Sequence, residues 1–238
     1  MTILERRSRS VKMERMDTES QRSERRTDAL SKERIVEAAI EILDAEGEKA
    51  LTFRALSAHL STGSGAIYWH VANKNELLAA TTNDVIARVV IETIEGLAPR
   101  EAIRAISLGL FDAIDAHPWV GTQLSREPWQ WAVLQIFESV GGQLQALGVP
   151  EDARFDCASA LVNYVLGLAG QYAAGARLLA RETDRTAFLG TVAARWEQLD
   201  AAEYPFLSSA ATQLREHDDR EQFLAGIDLI LAGIATVR

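Results

Sequence analysis

Apolar residues in "LSKERIVEAAIEILDAEG", residues 30–47, return every three to four positions: Ile35, Ala38, Ala39, Ile42 and Leu43 share one face, while Glu37, Glu41 and Asp44 fall off it. That period predicts an amphipathic helix. Ser31 stands where its hydroxyl can cap the first turn, Leu30 and Ile35 have the spacing of a hydrophobic staple, and Gly47 suits a C-terminal stop. A second, short helix is expected after Thr52, with Phe53, Leu56 and Leu60 on one side. "STG" at residues 61–63 interrupts it, and a third short helix is expected over residues 64–70. Asn73 and Glu76 form an N-x-x-E start for a longer helix over residues 74–94, with Leu77, Leu78, Val85, Ile86, Val89 and Val90 as its apolar positions.

Helical periods continue to the end of the chain. Pro99 suits a first turn before "REAIRAISLGLFDAIDA", and Pro118, Pro128, Pro150 and Pro205 each stand where a helix could begin. A long helix is expected over residues 152–181. No convincing alternating strand is present, so the fold class expected is all-α.

"SGAIYWHVANKNELL", residues 64–78, sets Tyr68, Trp69 and His70 in a row at the end of the third helix. Three short helices with a three-residue turn between the second and third make a helix-turn-helix arrangement. Ser64, Gly65 and Ala66 are small enough to let the start of the third helix approach base edges. Tyr68 and His70 offer a hydroxyl and an imidazole to the phosphate backbone. Ile67 and Val71, one turn apart, would anchor this helix on the core beneath it. A purely structural role for the rings would be to glue the three-helix unit to the rest of the chain, and for Trp69 alone that role is as good as the other.

Charge sharpens the picture. The net charge is −9 over 238 residues, which on its face argues against nucleic acid. Residues 1–34, however, hold ten Lys/Arg against seven Asp/Glu, leaving a net of −12 on the remainder. A basic leading arm on an acidic body permits local DNA contact while limiting indiscriminate binding. Residues 1–30 are expected to form this flexible arm, with Arg22, Arg25 and Arg26 nearest the duplex. The lone Cys157 fits a reducing cytosol and a small buried hydrophobe. No apolar run reaches the roughly 18 residues of a membrane span, and no secretory leader is evident, so a cytoplasmic location without membrane attachment is expected. There is no P-loop, dinucleotide fingerprint, nucleophile elbow or Cys/His metal spacing, which argues against an enzyme.

"LTFRALSAHLSTGSGAIYWHVANKNELL", residues 51–78, resembles the DNA-binding segment of TetR-family transcriptional repressors, and "IYWHVANKNELL" is particularly similar to the tetracycline-repressor branch. The likeness runs without a gap over residues 31–78. "HPWVGTQL", "VLGLAGQ" and "FLAGIDLILAGI" extend it more loosely to the C-terminal half. The resemblance implies a DNA-binding domain over residues 31–78 and an effector-binding and dimerisation domain over residues 79–238. It gives Thr52, Arg54, Ser64, Gly65, Ala66, Tyr68, His70 and Lys74 as DNA-contacting positions. Two departures bear on the operator: Ser61 and Thr62 occupy a turn where Gly and an apolar residue are usual, and Ala66 stands where Thr is frequent.

The same resemblance implies a homodimer and a small-molecule pocket. Small residues on the long helix, among them Gly167, Gly170 and Ala174, and the stripe Phe223, Ile227, Ile230 and Ile234 on the last helix are the expected interface, as two helices per subunit of a four-helix bundle. Phe111, His117, Trp119, Trp129, Trp131, Phe137, Asn163, Tyr164, Gln171 and Trp196 are the candidate effector contacts. Tetracycline repressors bind a drug–magnesium chelate partly through His, but gap-free alignment places Val89 and Val90 where that His would stand. No metal or cofactor is therefore expected, and the effector expected is neutral or apolar. The function expected is a repressor released from operator DNA by a small hydrophobic ligand. The alternative is a helical carrier of a hydrophobic molecule, which tight duplex binding with a steep salt slope would exclude.

Overall fold

A computed structural model of the chain describes residues 30–92, 96–127, 130–179 and 185–237. The expected N-terminal arm lies outside the described residues. Helix α1 (Lys32–Glu46) begins where Ser31 Oγ accepts the Arg34 N–H at 3.3 Å and ends at Gly47, whose φ of 77° is the left-handed conformation that glycine adopts without penalty. Its buried face is Ile35, Val36, Ala38, Ala39, Ile42 and Leu43. Helix α2 (Phe53–His59) is capped by Thr52, whose Oγ1 accepts the Ala55 N–H at 3.1 Å. Helix α3 (Ser64–Tyr68) follows a turn in which Ser61 takes φ 51°. Ser61 thus adopts the backbone shape that explains why glycine suits this turn.

Helix α4 (Lys74–Glu92) starts with a reciprocal cap: Asn73 Oδ1 accepts the Glu76 N–H at 2.9 Å, and Glu76 Oε2 accepts the Ala72 N–H at 2.8 Å. It crosses the expected domain boundary after Leu78 without a break, so one rigid rod belongs to both halves. The body continues with α5 (Pro99–Ala116), α6 (Pro118–Arg126), α7 (Trp131–Ala146), α8 (Glu151–Leu179), α9 (Arg185–Glu197), α10 (Pro205–Arg215) and α11 (Asp219–Ile234). Pro99, Pro118 and Pro205 each open a helix, where the missing N–H costs nothing. Asp218 caps α11 by accepting the Glu221 N–H at 2.8 Å. Among the described residues the structure is all-α, with no strand.

Helix α8 lies against α6 and α7; α5 is sandwiched among α4, α7, α8 and α11; and α9 and α10 pack on each other. One continuous apolar core runs from the small N-terminal bundle into the body. Cys157 is buried in it, and desolvation together with the neighbouring Asp156 carboxylate pushes its thiol up, which leaves little reactive thiolate.

Candidate nucleic-acid interface

Ile67 and Val71 are buried under α3, as their spacing predicts, and this rotation turns the remaining positions outward. Ser64 and Gly65 are exposed at the start of the helix and Ala66 is half-buried. Tyr68 is 54% and Trp69 89% exposed. A side chain that open glues nothing to the body, so the structural role considered for Trp69 is ruled out. The Phe53 ring stacks on Tyr68 with centroids 4.4 Å apart and planes 3° from parallel, holding the phenol against α2. Thr52 spends a lone pair on its cap and keeps its hydroxyl proton for another acceptor. Arg54 is exposed on the first turn of α2. His70 is half-buried just beyond α3, near Glu33. The carboxyl of Glu33 is held below its usual range mainly by its backbone amide, then by Ser31, with His70 adding attraction.

Lys74 is not a free cation on this rim. Its Nζ donates to the Glu48 carbonyl in the turn after α1, leaving two N–H donors for a phosphate. The same Glu48 accepts from the body: its Oε2 receives Arg126 Nη1 at 2.7 Å and Gln123 Nε2 at 3.3 Å. At the other end of α6, Asp44 Oδ1 receives both Trp119 Nε1 at 2.7 Å and His117 Nδ1 at 2.8 Å. Helix α6 therefore grips the end of α1 at two points, and one of them leads directly to Lys74.

These contacts give two effector candidates another place: His117 and Trp119 tie the DNA-binding unit to the body and lie outside the lining of the groove between α7 and α8. Phe111 and Tyr164 both pack on Phe223, Phe111 tilted at 5.1 Å and Tyr164 stacked at 5.6 Å between centroids, inside the α5–α8–α11 core. Phe137 and Asn163 share one groove. Together with Val133, Leu134, Phe155 and Leu166 they line an open groove of about 730 Å³ between α7 and α8, which also carries Arg154, Glu138 and Glu151. Trp131 and Gln171 are exposed outside its lining, Trp196 is half-buried on α9, and Trp129 lies outside the described residues. Phe155, stacked on Phe137 at 6.4 Å, is the groove residue that sequence reasoning missed.

Comparison with known proteins decides the family. The family described as bacterial regulatory proteins, tetR family, matches residues 35–81, and the tetracyclin repressor-like C-terminal domain matches residues 100–238, more than half of the chain. The chain belongs to the TetR family. A TetR transcriptional regulator from Streptomyces coelicolor is 52% identical, with a TM-score of 0.79 over 88% of this chain and all of that one. The TetR-family protein ActR from the same organism, solved with actinorhodin, is 25% identical with a TM-score of 0.69, over 87% of this chain and 97% of its own. An HTH-type transcriptional regulator from Saccharopolyspora erythraea is 28% identical over 87% of this chain and 85% of its own. This TetR-family chain is a DNA-binding transcriptional regulator.

The TetR-family body also redistributes the expected dimer contacts. Phe223 is 1% and Ile227 0% exposed, and Ile234 is buried too, so this stripe of α11 is the protomer's own core face. Ile230 is half-buried against the same core. Gly170 faces α6, where an added Cβ would meet Ser125 Oγ at 3.3 Å. Gly167 is exposed on α8, and the side chain of Ala174 lies outside what is described. The free face of α11 carries Leu229, 75% exposed, with Ala225 and Ala232.

Proposed function

We propose that this regulator is a homodimeric repressor acting in the cytoplasm, released from operator DNA when a small, largely apolar effector binds its helical body. It acts as a binding switch rather than as a catalyst. The observation that carries this reading is the outward row of Tyr68 and Trp69, braced by Phe53, on a unit hydrogen-bonded to α6 through Asp44 and Glu48. In the proposed complex Ser64, Gly65 and Ala66 face base edges, and Arg54 reaches a base or a phosphate. Thr52, Tyr68, Trp69, His70 and Lys74 hold the backbone. The division into a DNA-binding part over residues 31–78 and an effector and dimerisation part over residues 79–238 is part of the same proposal.

Release follows from the links already described. The two units of a dimer must present α3 to half-sites about 34–36 Å apart. An effector in the α7–α8 groove favours body arrangements in which α8, and α6 packed on it, lie differently. Moving α6 moves Asp44 and Glu48, and with Glu48 the carbonyl that holds Lys74. The effector shifts the equilibrium only as far as it prefers the non-binding arrangement.

The test is salt-dependent binding to duplexes selected from the protein's own genome. Lys74→Ala should weaken binding to every sequence alike and lower the salt slope by about one unit. Tyr68→Phe should cost about 1 kcal/mol, one hydrogen bond to a phosphate, while keeping the Phe53 stack. Unchanged affinity in both variants would remove the phosphate rim from this surface.

Assembly has its own test. On the free face of α11, Leu229→Asp places a carboxylate in the proposed four-helix contact, where burial without a partner is costly. Sedimentation equilibrium should show the wild type as a dimer and the variant as a monomer. A variant that remains fully dimeric would put the interface elsewhere.

A further inference from the structure

Behind the reading surface, the buried Ser57 of α2 touches Ser64 of α3. Its Oγ lies 2.6 Å from the Phe53 carbonyl oxygen and 3.0 Å from Ser64 Oγ. We infer that Ser57 fixes Ser64 as a hydrogen-bond acceptor, so that Ser64 favours an operator base presenting an amino group. The inference rests on the proposal that Ser64 faces a base edge.

A serine hydroxyl has one proton and two lone pairs. Two oxygens at 2.6 Å with no proton between them would set lone pair against lone pair, so the Ser57 proton lies on the Phe53 carbonyl. The 3.0 Å contact is then a hydrogen bond only if Ser64 donates its own proton to Ser57. What Ser64 has left to offer the solvent side is lone pairs. Ser57 is buried, and its backbone carbonyl accepts the Thr62 N–H at 3.0 Å within the turn, so the α2–turn–α3 geometry keeps the two serines in register.

In the major groove the amino groups of adenine N6 and cytosine N4 are donors, whereas guanine O6 and N7 and thymine O4 are acceptors. A free serine hydroxyl can rotate to suit either kind. With its proton committed to Ser57, Ser64 accepts from adenine or cytosine, and it can serve guanine or thymine only by giving up the Ser57 bond. One ordinary hydrogen bond makes that a preference of about fivefold. Ser57 is thus a positioning residue for operator specificity and itself touches no base.

The experiment uses the full-length protein and a duplex selected from a random pool. The relevant base pair is the one whose preference Ser64→Ala abolishes. At that pair the wild type should favour the amino-bearing base about fivefold, and it should lose the same factor when the base is replaced by an analogue lacking only that amino group. Ser57→Ala frees the Ser64 proton and should narrow the preference to less than twofold, while Ser57→Thr, which keeps the hydroxyl, should restore it. If Ser57→Ala does not fold, the amino-deleted duplex with wild-type protein decides alone. Should Ser64→Ala alter the preference at no position, base contact by Ser64 fails and this inference falls with it. Should Ser64→Ala erase a preference to which amino deletion is indifferent, Ser64 reads bases but Ser57 does not set its polarity.

Discussion

Asp44→Ala is expected to lower the unfolding free energy by about 1–3 kcal/mol, because two donors lose one acceptor and one of them is then stranded. Trp119, 7% exposed, has its indole N–H on Asp44 Oδ1 at 2.7 Å, and His117 Nδ1 reaches the same oxygen at 2.8 Å. Asp44 itself is one-third exposed, so screening limits its purely ionic share. The cost arises mainly from the unsatisfied indole. By contrast, the Arg126–Glu48 pair, whose side chains are 53% and 31% exposed, should contribute only about 0.2–1 kcal/mol, and Arg126→Ala should be correspondingly mild. Urea unfolding measures both. In Asp44→Ala the indole proton of Trp119 should also exchange faster with solvent, since its bond is gone. Asp44→Asn, which keeps one acceptor oxygen without the charge, should fall between wild type and Ala. A loss below about 0.5 kcal/mol in Asp44→Ala, with Trp119 exchange unchanged, would mean that α6 holds the DNA-binding unit by apolar packing alone.

Local features were legible in the sequence because their causes are local. The caps at Ser31, Thr52 and Asn73 each need only a side chain three residues from an amide, and all three form. Ile67 and Val71 sit one turn apart and are buried together, which fixes the rotation of α3 and the outward row beside them. Longer links were not legible. Asp44 reads as an ordinary solvated charge off the face of α1, and its partners lie 73 and 75 residues away. Nothing in their spacing announces that a His and a Trp at the start of α6 converge on it. The places of Phe111 and Tyr164 were equally hidden: composition counts rings, but these two meet on Phe223 only because α5, α8 and α11 pack together.

The stripe of α11 expected at the dimer contact lies inside the protomer for a different reason. Helix α11 is apolar on most of its circumference, with Phe223, Ile227, Leu231 and Ile234 buried and Leu229 exposed. A helix of that kind has two faces that satisfy the same period, and periodicity does not say which one the chain covers itself. The small residues of α8 are equally ambiguous. Gly167 is open, whereas Gly170 admits Ser125 of α6 from the same protomer.

Gly226 shows the same packing logic and should give the other large effect. It is half-buried on α11, and a Cβ added there would overlap the phenol of Tyr164, reaching its Cε2 at 3.0 Å with the Cζ and hydroxyl closer still. That ring cannot swing away freely. It stacks on Phe223 within 15° of parallel, its hydroxyl donates to the Phe223 carbonyl at 3.4 Å, and Phe223 leans on Phe111 in turn. Replacing glycine by alanine within a helix should stabilise by about 0.8–1.0 kcal/mol through propensity alone. Overpacking a fixed aromatic stack costs about 1–3 kcal/mol, so the net expected for Gly226→Ala is destabilisation. Gly226→Leu, with three more carbons to place, should be worse. Tyr164→Phe removes the overlapping oxygen but leaves Cζ in the way, so it should relieve Gly226→Ala only in part. Tyr164→Ala removes the ring, and in that background Gly226→Ala should turn neutral or stabilising. The resulting cycle should show a coupling within the roughly 0.5–3 kcal/mol seen for residues in contact. If Gly226→Ala stabilises the wild type by its full helix-propensity gain, α11 does not approach α8 as closely as the Tyr164 contact requires.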